Sequence, residues 1–572
     1  MKKIISIMLA VLLATALTVP VVSAANDNAH TITITNTDSS VKHVYEAYQV
    51  FKGDLNSDHS IMSNIVWGDG VDGNALLEDL IATNAEDFGD CADAYDVAGV
   101  LVTYLVNNNS TDIDNFAVVV GKHLATVAAT STEDSDPYTL SVTGDGYYFV
   151  KDKNDSVTVE GESYSKYMLS ISSDTPDSEL VIEAKDEHLV PEKKILENGG
   201  KVSENAAAIG DVITYEVTID LPKMDGYKAY TFTMNDTLSK GLTFTKYSED
   251  ENVHVVVNVD TAQNLTEGDE NGYTVETVKN ADGTTSLTVD FKNFIRFKRF
   301  SNINGKVVLT YKATLNDDAV IGVEGNPNTV DFIYSNNPSS TSQGDGGETG
   351  ITPESETITY TTGLNLLKVD KTSQNELAGA KFKIEGQALN TVKTKGTKFV
   401  TSSYTADDNE TIDSVDPETY YLLSNGTYST TEPADYTGDT YVLVHFTKYT
   451  YKASAEQYDG TTGPDGIIRF EGLKPGSYTL TELEAPDGYN ILQEPIEFEV
   501  TWDATNGFNI SGASYDEETD TFEIKVENSK GSILPHTGGI GTTSFMVIGA
   551  FRVLGAAVVL VSVIVSRRRE NV

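Results

Sequence analysis

Three stretches in the last third of the chain each carry an apolar face into a group that can react. Strand side chains alternate faces with period two. Leu364 and Leu366 share parity with Lys368, Tyr478 and Leu480 with Glu482, and Phe522, Ile524 and Val526 with Asn528. A lysine, an acid and an amide alone on such faces would each be costly, so the economical reading is that they meet. Burial drives a lysine towards its neutral, nucleophilic form and a carboxyl towards its protonated form. A neutral amine beside an asparagine side chain can attack Cγ, while the acid polarises the amide carbonyl and passes a proton to departing ammonia. The product is an intramolecular Lys–Asn isopeptide bond that staples a domain's first strand to its last, with proximity supplying much of the rate.

The same logic recurs upstream. Lys193 shares parity with Ile195, Asp236 with Phe232 and Met234, and Asn328 with Val330, Phe332 and Tyr334. Lys193 and Asn328 both stand at strand starts, as expected if first and last strands run parallel side by side. Lys194 and Glu216 compete for the lysine and acid roles. Further upstream, Lys42 and Lys151 flank strands without a convincing asparagine, and no bond is expected there.

These groups need β-sandwiches to position them, and the composition agrees. Clean alternation at Ile213, Tyr215, Val217 and Ile219, with strands near 253–259, 286–291 and 307–311, makes residues 186–340 nearly all strand. Residues 26–185 are mixed: strands at Thr31–Thr35, Tyr45–Phe51 and Gly146–Val150 enclose helical spacing at 75–81 and 98–105. A Ser/Gly/Thr/Pro-rich linker is expected over 341–357. A further sandwich over 358–530 contains a long polar insertion, 388–465, that the pattern does not place. The fold class is mainly β.

Composition narrows the partners. The 86 acidic residues against 40 basic ones give a net charge of −46, which argues against nucleic acid and anionic membranes and suits a self-repelling extracellular surface. The single cysteine, Cys91, forbids an intrachain disulfide, so a secreted chain of this size must be braced another way. The eight histidines show no metal-ligand spacing and Cys91 has no identifiable histidine partner, so no metal, cofactor or hydrolase activity is expected.

Both termini read as sorting devices. Lys2 and Lys3, an apolar run to about Val22 and the small residues Ser23-Ala24-Ala25 form a signal peptide, 1–25. At the other end, within 531–572, Leu534-Pro535-His536-Thr537-Gly538 precedes an apolar span and Arg567-Arg568-Arg569. The pentapeptide resembles the LPxTG substrate of sortase transpeptidases. That resemblance implies cleavage between Thr537 and Gly538, transfer of the Thr537 carboxyl to an amine, and attachment to peptidoglycan. Arg552 interrupts the span at roughly 2.5–3.5 kcal/mol on insertion scales, which suits a transient hook.

Leu366-Leu367-Lys368-Val369-Asp370, Leu377-Ala378-Gly379-Ala380-Lys381-Phe382 and the block from Tyr478 to Glu482 and on to Ala485-Pro486-Asp487-Gly488-Tyr489 look like a Cna-B-type isopeptide domain, the last block matching its E-box. By that pattern Lys368 bonds Asn528 with Glu482 as catalytic acid. Pro191 to Ile195 and Asn235 to Leu242 resemble the second domain of Gram-positive backbone pilins, which suggests Lys193–Asn328 with Asp236. The whole chain resembles the major (backbone) pilin of sortase-assembled pili. The resemblance implies tandem Ig-like (Cna-type) β-sandwiches after a mixed α/β N-terminal domain. It also implies a structural shaft subunit, not an enzyme, whose partners are pilus-type and housekeeping sortases, copies of itself and ancillary pilins. Backbone pilins carry a polymerising lysine between first and second domains, often in a Val-Tyr-Pro-Lys type motif that this chain lacks. Lys185, in Val181-Ile182-Glu183-Ala184-Lys185, is the candidate acceptor. The rival expectation is a wall-anchored adhesin or ancillary pilin that binds a host ligand and needs no acceptor.

Overall fold

The computed structural model describes residues 29–531 apart from 36–41, 56–61, 108, 133–136, 166, 172–179, 184–187, 301–302, 341–342, 345, 387–388, 390, 425–426, 452–458 and 518. The signal peptide, the sorting residues Leu534, Pro535, Thr537 and Gly538, and Lys185 lie outside the described residues. Among those described, no helix is long and apolar enough to cross a membrane.

The first domain packs helices against a five-stranded sheet built on Tyr45–Leu55, beside a three-stranded sheet. The helices span Gly73–Thr83, Ala85–Phe88, Ala94–Val106 and Ser110–Val120. Side-chain caps start the longer ones: Asp72 accepts from Ala75 N, Asp93 from Tyr95 and Asp96 N, and Asn109 from Asp112 N. The stretches with helical spacing lie inside two of these helices. The fourth, with Ile113, Phe116, Ala117 and Val120 buried, closes the same core.

The second domain is a sandwich of two seven-stranded sheets. Val212–Asp220 buries Ile213, Tyr215, Val217 and Ile219 and exposes its ends, as its alternation requires. Residues 341–357, expected as a linker, are a correction. Thr349–Ile351 and Ser355–Tyr360 both pair with Asn326–Ser335, and the latter also runs parallel to Glu204–Ala206. Thr357 and Thr359 turn inwards at 1% and 0% exposure, so polar composition concealed a strand. Thr361 alone separates it from the next domain's first strand, Thr362–Asp370.

The third domain sets a nine-stranded sheet against a five-stranded one. Its first strand runs parallel to its last, Thr521–Asn528, with Lys368 opposite Val526 and Asp370 opposite Asn528. The polar insertion is a β-ribbon: Thr391–Thr401 and Thr440–Tyr451 pair along their whole length and join the large sheet through Lys393–Gly396.

Candidate functional sites: two buried lysine–acid–asparagine clusters

In the third domain the parity argument holds at every position. Lys368, Glu482 and Asn528 are 0%, 4% and 2% exposed, each flanked on its own face by the apolar residues named above. Lys368 Nζ donates to Val526 O at 3.0 Å and lies 3.9 Å from Glu482 Oε1. Asn528 Nδ2 donates to that same Oε1 at 2.8 Å, and Leu492 N donates to Oε2 at 2.7 Å. The acid thus holds the amide nitrogen that would depart, beside the amine that would replace it. Burial pulls the Lys368 ammonium down to about 8 against the opposing charges of Glu482 and Glu527, so the neutral amine is far more populated near neutral pH than it is for an exposed lysine. Asn528 Oδ1 is buried without a hydrogen-bond partner. Asp370, at the same strand end, accepts from Thr372 N, Ser373 N and the Tyr489 hydroxyl, which hold its carboxyl down at about 2. It pins the E-box loop to the strand that carries the lysine.

The second domain assembles its cluster differently. Lys193, Asp236 and Asn328 are buried at 1%, 1% and 0% exposure. Lys193 Nζ donates to Asp236 Oδ2 and, at 2.7 Å, to the Tyr311 hydroxyl. Tyr311 in turn donates to Asp236 Oδ2 at 2.5 Å and accepts from Asn328 Nδ2 at 3.0 Å. Burial lowers Lys193 to about 8 and raises Asp236, each against the partner's charge. Both groups are thus shifted towards the free amine and the protonated acid that the reaction needs. Asp236 Oδ1 and Asn328 Oδ1 are both buried without a hydrogen-bond partner; a proton on the former would supply the donor that carbonyl polarisation needs.

Two expectations about this site are corrected. The strands bearing Lys193 and Asn328 do not run side by side: Glu192–Glu197 lies in one sheet and Asn326–Ser335 in the other. Lys193 reaches across the sandwich, because Asp236 sits on the strand next to Asn328, with Leu238 opposite Asn328 and Asp236 opposite Val330. The competitors face outwards. Lys194 and Glu216 are opposite one another, Lys194 donating to Ser203 Oγ and Glu216 accepting from Lys201. Tyr311 was missed, although it shares parity with Val307 and Leu309: a phenol closing an apolar face needs a partner once buried.

In the first domain Lys151 Nζ donates to Asp152 O at 2.9 Å and Asn154 Oδ1 at 2.6 Å. Asn154 is exposed and only three residues away, so a bond there would brace nothing.

Three family models match the chain. Residues 209–338 match the Gram-positive pilin backbone subunit 2, Cna-B-like domain; residues 362–514 match the SpaA prealbumin-like fold domain; and residues 526–572 match the LPXTG cell wall anchor motif. The trypsin-resistant surface T6 protein of Streptococcus pyogenes serotype M6 is 26% identical over 389 residues, covering 66% of this chain and 68% of that protein. Fimbrial subunit type 1 of Actinomyces viscosus is 24% identical over 381 residues, covering 65% and 64%. The solved structure of the T6 backbone pilin, described as modular and three-domain, superposes with a TM-score of 0.53 at 18% identity, covering 89% of this chain and all of that one.

Proposed function

We infer that this chain, assembled from backbone-pilin domains and closed by a cell-wall anchor, is the structural shaft subunit of a covalently polymerised surface pilus. It is secreted and displayed on the cell wall. The observation that carries the mechanical part of this reading is the pair of buried clusters. In each, the lysine Nζ–asparagine Cγ bond forms, the Cγ–Nδ2 bond breaks and ammonia leaves. The acid, Glu482 or Asp236, passes a proton to the departing nitrogen and takes up the one the amine loses, so it ends as it began. Two groups that burial would otherwise penalise become one neutral amide. The reaction turns over once, so the chain is a substrate and a building block, not an enzyme.

Polymerisation uses the two ends of the load path. A pilus-type sortase breaks the Thr537–Gly538 amide and joins the Thr537 carbonyl carbon to Lys185 Nζ of another copy, a head-to-tail contact that stays open and propagates as a fibre. At the base, a housekeeping sortase passes the same carboxyl to peptidoglycan. Lys193 is spent internally and cannot also accept Thr537, and Lys185 is the amine we assign to that role. Boiled wall extracts are expected to show a ladder of high-mass species, and Lys185→Ala is expected to collapse it to the single subunit. A ladder that survives the substitution contradicts the acceptor assignment. Wild-type extracts with no ladder contradict the shaft reading and leave a surface-tethered protein that decorates rather than builds.

A further inference from the structure

The chain is strongly acidic, but a few short segments are not, and one of them lies in the second domain. Residues 292–299 hold Lys292, Arg296, Lys298 and Arg299 and no acid, and two of the three arginines between residues 26 and 531 are among them. They lie on or beside a 3-10 helix, Phe294–Phe300, that buries Phe294 and Phe297, leaves Arg299 exposed and holds Arg296 and Lys298 half-buried. Arg296 and Arg299 stack over Phe297 and Phe300, at 4.4 and 4.6 Å from the ring centroids. Lys292 pairs with Asp290, but neither arginine forms an ion pair among the described residues, and Arg296 Nε is buried without a hydrogen-bond partner. Guanidinium groups fixed on aromatic rings with no carboxylate at ion-pair distance, Asp269 acting on Arg296 only from further off, are arranged to receive an acidic surface.

Their place in the fold indicates which surface. Lys298 Nζ donates to Tyr227 O at 2.7 Å, and the Tyr227 hydroxyl to Ser335 O at 3.0 Å. The neighbouring Tyr334 hydroxyl donates to Glu162 O at 2.7 Å, and Glu162 bridges to His188, three residues after Lys185. The cationic helix therefore sits at the end of the second domain to which Glu162 and His188 are tied. The opposite end of the molecule is acidic. The ribbon carries nine carboxylates between residues 402 and 439 with no lysine or arginine from 399 to 447. It and the E-box loop line one cleft where Asp407, Glu410, Glu484 and Asp487 outnumber Lys398 and Lys448. The tether to the sorting tag leaves from the same loop: Gly531 N donates to Gly488 O at 2.9 Å, and Tyr489 bridges to Lys530. From Gly531 to Thr537 the chain can span at most about 22 Å.

We propose that the cationic 3-10 helix of the second domain is the docking surface for the acidic, tether-bearing end of the preceding copy. The proposal rests on the head-to-tail reading above. Charge complementarity brings that end to the junction before the sortase joins Thr537 to Lys185, and the finished bond holds the two surfaces at high effective concentration.

The test is sortase-catalysed polymerisation of the chain, followed as ladder formation at low and high salt. Arg296→Glu/Arg299→Glu is expected to slow it by about tenfold at low salt, and Arg299→Glu alone, at an exposed position, by less. The melting temperature of Arg299→Glu is expected to stay at the wild-type value, which makes it the control for the partly buried Arg296. High salt is expected to narrow the gap by slowing the wild type. Adding Asp407→Lys/Asp487→Lys to the double variant is expected to restore much of the rate. Wild-type rates in both arginine variants overturn the docking surface, and a slow double variant that the acidic-end reversal does not rescue overturns its occupant. Digests of the wild-type polymer are read in parallel. A Thr537 branch on Lys185 with unaffected rates condemns the docking surface alone, whereas a branch elsewhere removes the head-to-tail premise and the proposal with it.

Discussion

Replacing Asp236 with Ala is expected to leave Lys193 and Asn328 unjoined and to lower the melting temperature of the second domain by about 10–20 °C. The crosslink closes a loop of about 135 residues, and by analogy with other covalent loop closures this constrains the unfolded chain by about 5 kcal/mol. For a domain of this size each kcal/mol moves the midpoint by about 2–4 °C. The substitution also removes the carboxyl that shares a proton with Lys193 and accepts from Tyr311, leaving an amine buried without its partner, so the loss falls at the upper end of that range. Calorimetry with intact mass on the same sample checks it. A variant that keeps both the ammonia deficit and the wild-type midpoint contradicts the role of Asp236.

The second large effect is mechanical. With Lys368 joined to Asn528, a pull between the domain's start and the tether passes from the first strand to the last without loading the residues between them. Those strands are parallel neighbours already, so the bond lies where the load would otherwise shear their hydrogen bonds. Glu482→Ala is expected to leave the bond unformed and to release the loop of about 160 residues on pulling, an added extension of about 550 Å. The crosslinked chain should show no such step in single-molecule force spectroscopy. Equal step lengths for variant and wild type would contradict the assignment of Glu482.

The third domain was the most legible part of the chain. Its reactive groups continue the apolar parity of three strands, so period two placed Lys368, Glu482 and Asn528 on buried faces, and the cost of burying each alone implied that they meet. The second domain's trio was legible by the same rule, but its geometry was not. Parity says which face a side chain occupies and is silent on which sheet its strand joins. Lys193 therefore crosses the sandwich where a side-by-side arrangement was expected. Tyr311 was overlooked because a tyrosine on an apolar face reads as core. Residues 341–357 read as a linker because serine, threonine and glycine dominate them, yet Thr357 and Thr359 are among the most buried residues of that sheet. The insertion at 388–465 resisted placement for a related reason: its two ribbon strands bury threonines and lysines beside Val392, Val444 and Phe446, so no clean apolar stripe reveals their register.

The pH sense of bond formation follows from the same burial. Lys193 and Lys368 both lie near 8, so the nucleophilic fraction grows as pH rises towards that value. Asp236 is raised by burial and keeps the proton it must donate further into that range than an exposed aspartate would.

The most direct measurement is the intact mass of residues 26–533, purified without any sortase. Each spontaneous Lys–Asn amide expels one ammonia of about 17 Da, so a mass below that of the sequence by two ammonia equivalents, with branched peptides linking Lys193 to Asn328 and Lys368 to Asn528, is the expected result. A mass equal to that of the unmodified sequence would contradict the self-stapled shaft.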